Sequence, residues 1–500
     1  MDLDPTACHR AMLARDARYD GRFFTCVKTT GIYCRPVCPA RPPKLENCVF
    51  LPTAAAAQEA GFRPCLRCRP ESAPDLGAWR GTSGTVTRAL RLIEAGALDE
   101  GDVDALAMRL GVGERHLRRL FLRHLGAAPV TVAQTRRVLL AKQLIHQTDL
   151  PMTEVALASG FGSVRRFNET FQQLYRRPPG ELRRRRVAGV PAATGIRLLL
   201  PYRPPYDWPS MIGFLAARAI AGVEVVAGGV YRRVIDLGGA TGAIEVADAP
   251  DRSSLRVTVR FPRLEALPEI IARIRRVFDL GADPAAIVAE LARDPALAPL
   301  VVARPGLRVP GAWDGFEIAV RAILGQQITV AAARTLAGKL VAAFGEPVAS
   351  GDAAEGLTHA FPRPERFDVD GVAALGMPRV RAAALAGLAA AQLDDPRLFD
   401  PRADLEAAVS RLRALPGVGE WTAQYIAMRA LRENDAFLAG DVALQRVLAR
   451  DGRRPTAKEL VARAESWRPW RAYAVLHLWA ADAAGQTISP DQEKTHAIAA

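Results

Sequence analysis

All seven cysteines of this 500-residue chain lie at or before Cys68. Four of them form short-spaced pairs, Cys34-x3-Cys38 and Cys65-x2-Cys68. Few features constrain a fold more, because two such pairs fit one tetrahedral Zn²⁺ site with four sulfur ligands, around which the chain must wrap. The acidic, polar start MDLDPTACHR is no secretory signal, so a cytoplasmic location is expected, where disulfides are rare. The cluster therefore reads as metal-binding or reactive. Burial as plain thiols is the alternative, and it is the reading given to Cys8, Cys26 and Cys48, which have no short-spaced partner.

Five hundred residues suggest three or four domains. No apolar run reaches the ~18–20 residues of a membrane span, so no membrane partner is expected. The formal charge is +14, and residues 109–186 alone hold sixteen Lys/Arg against five Asp/Glu. Clustered cations on helical segments point to nucleic acid, through phosphate contacts. Composition divides the chain into four blocks. Residues 1–78 are a small α/β zinc domain. Residues 84–187 are all-α, after the linker-like ESAPDLGAWRGTSG (71–84). Residues 195–303 mix β-branched runs (VEVVAGGVYRRVIDL, SSLRVTVRF) with the amphipathic LPEIIARIRRVFDLG, which is an α+β pattern. Residues 304–500 are Ala/Leu-rich, of helical period and all-α.

TTGIYCRPVCPAR and GFRPCLRCRP together resemble the N-terminal domain of the Ada DNA-alkylation response family. The resemblance implies that Cys34 is both a zinc ligand and the acceptor of a methyl group from a DNA methylphosphotriester. The chemistry agrees: a metal keeps a cysteine as the nucleophilic thiolate. A Zn²⁺ site with four thiolates carries −2, and a methylated Cys34 leaves −1. Less negative charge facing phosphate tightens DNA binding, so repair becomes a switch.

Two helix–turn–helix patterns occupy the basic block. In DVDALAMRLGVGERHLRRLF, Leu106, Leu110, Val112, Leu117 and Phe121 bracket a turn at Gly111. In PMTEVALASGFGSVRRFNETFQQLY, Val155, Phe161, Phe167 and Phe171 bracket Gly160, forty-nine residues further on. Sharply crossing helices favour a small residue at the turn. GFGSVRRFNETF…RRPPGELR resembles the AraC-type regulatory domain, whose two units enter adjacent major grooves. Arg115, Arg118 and Arg119, then Ser163, Arg165, Arg166 and Asn168, are the expected DNA-contacting residues.

Near the C-terminus, LRALPGVGEWTAQYIAMRAL reads as a helix–hairpin–helix. Gly417 and Gly419 let backbone N–H groups approach a DNA phosphate at the start of the next helix. With Asp441 in FLAGDVALQRVL, it resembles the helix–hairpin–helix DNA glycosylase superfamily. FEIAVRAILGQQIT and RPWRAYAVLHLWAAD narrow the resemblance to the AlkA type of 3-methyladenine glycosylase, with the α+β block as its N-terminal domain. The resemblance implies a monofunctional enzyme. Trp421 stands where strand-cleaving members carry a lysine, and no cysteine follows Cys68 to hold an iron–sulfur cluster or a second methyl acceptor. A flipped, cationic alkylpurine such as 3-methyladenine or 7-methylguanine would stack among Trp421, Tyr425 and Trp479. Tyr425 reads equally as core. Asp441 would stabilise the cationic sugar and orient or deprotonate water; an N-cap role is compatible with both. Gln327 occupies the position of the family's intercalating wedge, where that family has an apolar residue.

The expectation is an alkylation-response protein: a methyl-activated transcription regulator followed by a 3-methyladenine DNA glycosylase. Its expected partners are double-stranded DNA and RNA polymerase, with the chain a monomer. The alternative is a zinc-containing regulator whose glycosylase-like half only clamps DNA.

Overall fold

The cysteine pairs meet because of strand register. Phe24–Val27 pairs antiparallel with both Ile32–Cys34 and Cys48–Leu51, and Arg63–Pro64 pairs in parallel with Ile32–Cys34. Ile32 faces Arg63 and Tyr33 faces Pro64, so the next residues, Cys34 and Cys65, emerge side by side. In the computed structural model, residues 3–74, 84–183, 195–348, 356–400 and 404–486 are described. Contacts group the chain into Met1–Tyr202 with Ala249–Ala272, and Arg203–Asp248 with Arg273–Ala500.

In the first unit, Phe24, Cys26, Tyr33 and Ala57 form the core of the sheet. Helix Pro5–Leu13 is capped by Asp4, whose carboxylate accepts from the Thr6 and Ala7 amides. Cys8, Cys26 and Cys48 are buried, as expected of apolar thiols. Burial pushes the Cys26 thiol up to about 12, so it stays protonated. One expectation needs correcting. The linker-like stretch from residue 71 begins as ordered structure: Pro70–Ser72 is a helical turn and Glu71 is buried. Residues 75–83, like Arg184–Arg186 and most of the AGVPAATG spacer, lie outside the described residues.

The basic block is helical. Val103–Arg109 and Glu114–Leu125 form one unit, Met152–Ala158 and Val164–Tyr175 the other, and the long helix Pro129–Gln147 connects them. Gly111 and Gly160 have φ of +69° and +86°, a conformation that costs a residue with a Cβ. The predicted inward residues are buried, with Val112 partly so. In the same unit Ile196–Pro201 pairs antiparallel with Ser254–Arg260.

In the second unit, Glu224–Ala227, Val230–Leu237 and Ala240–Ala249 form an antiparallel meander. Its two tight turns are Gly228-Gly229 and Gly238-Gly239, with positive φ at all four positions, as two-residue hairpins require. A buried charge cluster ties the meander to helix Gly315–Leu324: Glu317 pairs with Arg233 at 2.8 Å and Arg321 at 2.6 Å, and Arg321 reaches Glu224 at 2.5 Å. Burial pushes the Glu317 carboxyl up, but Arg233 and Arg321 outweigh it and hold it at about 2. The described remainder is mainly helical, and it departs from an all-α block in the two-residue ladder Glu346–Pro347 with His359–Ala360.

Candidate functional site

At the front, the sulfurs of Cys34, Cys38, Cys65 and Cys68 all lie within 4.8 Å of one another. A tetrahedron with ~2.3 Å metal–sulfur arms has edges of ~3.8 Å, so the four donors fit one zinc ion. The backbone supports them as thiolate acceptors: the Arg35 amide donates to Cys68 Sγ and the Arg67 amide to Cys65 Sγ, both at 3.3 Å. The Arg35 guanidinium grips Asp20, the Cys68 carbonyl and the Ser72 hydroxyl, bracing the second knuckle. Cys38, Cys65 and Cys68 are buried, whereas Cys34 is half-exposed. The least buried of the four cysteines is the one expected to be methylated.

In the basic block, Arg115, Arg118, Arg119, Ser163, Arg165, Arg166 and Asn168 are all exposed. Several carry intramolecular contacts, Arg119 with His116 at 3.0 Å among them. Arg118 pairs with Glu114 at 3.0 Å, Arg165 with Glu169 at 2.8 Å, and Ser163 caps its helix by accepting from the Arg166 amide.

The rear site is a cleft of about 1160 Å³ lined by Trp421, Tyr425, Asp441, Trp479 and Gln327, among others. Helix Leu405–Arg413, the turn at Gly417 and Gly419, and helix Glu420–Arg429 form the predicted hairpin. Gly417 has φ +76°, and a Cβ there would stand 2.5 Å from the Ala384 methyl. Gly419 is the N-cap of the second helix and leaves its cap free of any side chain. Tyr425 is buried and also lines the cleft. Its ring stacks on Trp421 with centroids 5.1 Å apart and planes 10° apart, and lies 6.5 Å from Trp479.

Asp441 is the N-cap of helix Val442–Val447. Its Oδ1 accepts from the Ala443 and Leu444 amides at 3.0 and 3.3 Å. Both predicted pocket tryptophans also donate to it: Trp479 Nε1 to Oδ1 at 3.1 Å, and Trp421 Nε1 to Oδ2 at 3.0 Å. A carboxylate offers about four lone-pair sites, and here they face four donors, crowded on Oδ1. These donors fix the orientation of the carboxylate.

Three contributors escaped the sequence. Phe214, from helix Trp208–Arg218, lines the same cleft. Arg429 lies buried beneath the aromatic floor, its guanidinium 4.8 Å from the Phe214 ring and donating to the Tyr425 hydroxyl at 2.5 Å; burial lowers it to about 10. Gln326 Nε2 donates to the Gly417 carbonyl at 2.8 Å and to Thr422 Oγ1 at 3.1 Å, while Arg381 holds the Gln326 carbonyl at 2.8 Å. The neighbouring Gln327 is exposed with φ +60°. A side chain there is strained and must be held by its surroundings. Arg429 sits at i+4 from Tyr425, a local signal; Phe214 and Gln326 have none.

Fold and sites together define a helix–hairpin–helix base-excision protein with a zinc-binding, helix–turn–helix front. Comparison agrees block by block. Residues 7–71 match the metal-binding domain of Ada, 106–185 a helix-turn-helix domain, 197–314 the AlkA N-terminal domain, and 320–472 the HhH-GPD superfamily of base excision DNA repair proteins. The chain is 42% identical over 498 residues, 99% of its length and 100% of the relative's, to a "Probable bifunctional transcriptional activator/DNA repair enzyme AlkA" of Mycobacterium tuberculosis. It is 38% identical to DNA-3-methyladenine glycosylase 2 of Escherichia coli over 56% of this chain and 95% of that one. To the bifunctional transcriptional activator/DNA repair enzyme Ada of the same organism it is 37% identical over 30% of this chain and 41% of that one. A 3-methyladenine DNA-glycosylase from Archaeoglobus fulgidus shares the fold at TM-score 0.50 and 24% identity, covering 57% of this chain and 97% of that one. The chain belongs to the AlkA family of bifunctional transcriptional activator/DNA repair enzymes. Its helix–turn–helix and HhH-GPD domains make it a DNA-binding protein, and no described helix is long and apolar enough to cross a membrane.

Proposed function

We propose that this chain excises alkylated purines with its C-terminal half and uses its N-terminal half to convert a DNA methylphosphotriester into a transcriptional signal. The observation that carries the first part is the Asp441 carboxylate, clamped by two indoles at the wall of an aromatic cleft and one hairpin away from the phosphate-approaching glycines. A flipped 3-methyladenine or 7-methylguanine is cationic, and stacking among Trp421, Tyr425 and Trp479 favours it over neutral bases. As the N-glycosidic bond breaks, positive charge grows on the sugar, and a preorganised anion stabilises it without rearrangement. The four donors on Asp441 favour this electrostatic role over proton abstraction. Trp421 offers no amine, so the base leaves by hydrolysis alone. Gln327 is the wedge that fills the vacated stack, and Gly417 and Gly419 present amides to the phosphate.

At the front, zinc when bound keeps the four sulfurs as thiolates at neutral pH. The Cys34 sulfur forms a bond to the methyl carbon as the carbon–oxygen bond of the triester breaks, leaving the phosphate as a diester anion. The thioether so formed removes one negative charge from the face turned to DNA. Arg115, Arg118, Arg119, Ser163, Arg165, Arg166 and Asn168 then hold promoter DNA, and RNA polymerase is the downstream partner of a monomeric, cytoplasmic protein. In this reading residues 1–78, 84–187, 195–303 and 304–500 are the four working domains.

The deciding experiment measures free 3-methyladenine released from alkylated duplex by wild type and by Asp441→Asn. Asn keeps the helix cap, so abolished release with an unchanged melting curve isolates the chemistry. Equal release would remove the enzymatic reading and leave the DNA-clamp alternative. A mass gain of one methyl on Cys34, absent in Cys34→Ala, tests the other half.

A further inference from the structure

The zinc sheet and the helix–turn–helix helices touch through a fully buried ion pair. Lys142, on the connecting helix Pro129–Gln147, and Glu71, three residues beyond Cys68, have side chains 0% and 1% exposed, with Nζ and Oε2 2.8 Å apart. Lys142 Nζ also lies 3.5 Å from the Cys65 carbonyl and 5.7 Å from the centre of the Tyr175 ring, at the end of the second unit's Val164–Tyr175 helix. Glu71 takes a further bond from Arg69 at 3.2 Å. Burial pushes the Glu71 carboxyl up, but the Lys142 ammonium outweighs it and keeps the group below its ordinary range. The first helix–turn–helix unit is anchored to the zinc domain as well: Thr53 Oγ1 donates to the Leu125 carbonyl at 2.8 Å, and the Ala128 amide donates to Glu59 at 2.9 Å.

A buried ion pair is a poor source of stability, since desolvating both charges offsets most of their attraction. What it supplies is register, because neither partner tolerates displacement from the other. Lys142 thus meets the metal knuckle, through Cys65 and Glu71, and also the second helix–turn–helix unit, through Tyr175.

We propose that Lys142 is a positioning residue that locks the zinc knuckle onto the helix–turn–helix units, so that loss of charge at Cys34 is felt by one rigid DNA-binding surface. This rests on the methyl-acceptor reading above. Without the lock, the metal knuckle would lose its fixed register on the helices, and its reduced repulsion would no longer add to their grip.

The test uses the full chain, zinc-loaded, as wild type and as the double variant Glu71→Gln/Lys142→Met, which removes both charges without stranding either. Each is treated with duplex carrying methylphosphotriesters. Methyl uptake on Cys34 is read by mass, and affinity for an unmodified random-sequence duplex is measured before and after. The double variant is expected to keep its zinc and its methyl uptake, while the methylation-driven gain in affinity shrinks about fivefold or more, as loss of a typical coupling free energy would give. A full gain in the double variant overturns the proposal. So does loss of methyl uptake, which would place Lys142 in the transfer step. Absence of uptake in wild type would instead sink the underlying reading. Should the double variant not fold, Glu71→Asp decides: it keeps the charge but withdraws it by one methylene. A reduced gain at full uptake supports the lock, and an unchanged gain overturns it.

Discussion

Replacing Trp479 by Phe removes one N–H from Asp441 while leaving an aromatic ring beside Tyr425. If the indole acts only as a wall, substrate binding changes and the chemical step does not. The geometry argues the reverse. Trp479 Nε1 and Trp421 Nε1 meet the carboxylate at 3.1 and 3.0 Å from different helices, and the two amides of the helix cap reach only Oδ1. A hydrogen bond to a charged group contributes about 1.5–3 kcal/mol. If most of that is felt where the sugar becomes cationic, kcat should fall by about ten- to a hundredfold, with KM nearly unchanged. The assay is single-turnover release of 3-methyladenine at saturating protein, with Asp441→Asn as the second arm of a cycle. In that background Trp479→Phe should cost little, because its target is gone. A wild-type kcat with raised KM, or an undiminished effect in the Asp441→Asn background, would refute the clamp.

Gln326→Glu is isosteric but cannot donate to the Gly417 carbonyl or to Thr422, so the Gln327 wedge should lose its register. Release from duplex should fall by about tenfold, the worth of roughly one hydrogen bond, while release from single-stranded alkylated DNA stays near wild type. Gly417→Ala must place a Cβ 2.5 Å from Ala384 at φ +76°; a loss of about 2 kcal/mol or more in urea unfolding is expected. Gly419→Ala, which meets nothing within 4 Å, should leave that stability unchanged. His477 is buried, and burial with Arg304 nearby pushes its imidazole down to about 4. The unfolded chain therefore binds the extra proton first, and stability should drop as pH falls from about 6.5 towards 4. The melting temperature of His477→Leu should fall less over that window, and an identical slope would exclude His477 as a source.

Much of this was legible in the sequence because the signals are local. Pairs of cysteines three or four residues apart, glycines at the turns between basic helices, the Gly-Gly pairs between β-branched runs and the LPGVG hairpin each announce a backbone geometry that few residues satisfy. The contacts that complete the sites are not local. Asp441 and its two indoles are twenty and thirty-eight residues apart, and no spacing rule points an indole N–H at a carboxylate. Glu71 sits in a stretch whose small residues, Gly and Pro mark a linker, yet its partner seventy-one residues away makes it core. The ladder of Glu346–Pro347 with His359–Ala360 is too short to leave a period-2 pattern in an Ala-rich block.

The half-exposure of Cys34 among three buried sulfurs has a consequence at the scale of the cell. If Cys34 is the methyl acceptor, its thioether is a poor methyl donor, since a thiolate would have to be expelled to pass the group on, and each chain would register one lesion and then be spent. The population of switched regulators would be an integral of damage met since synthesis, reset by dilution as cells divide.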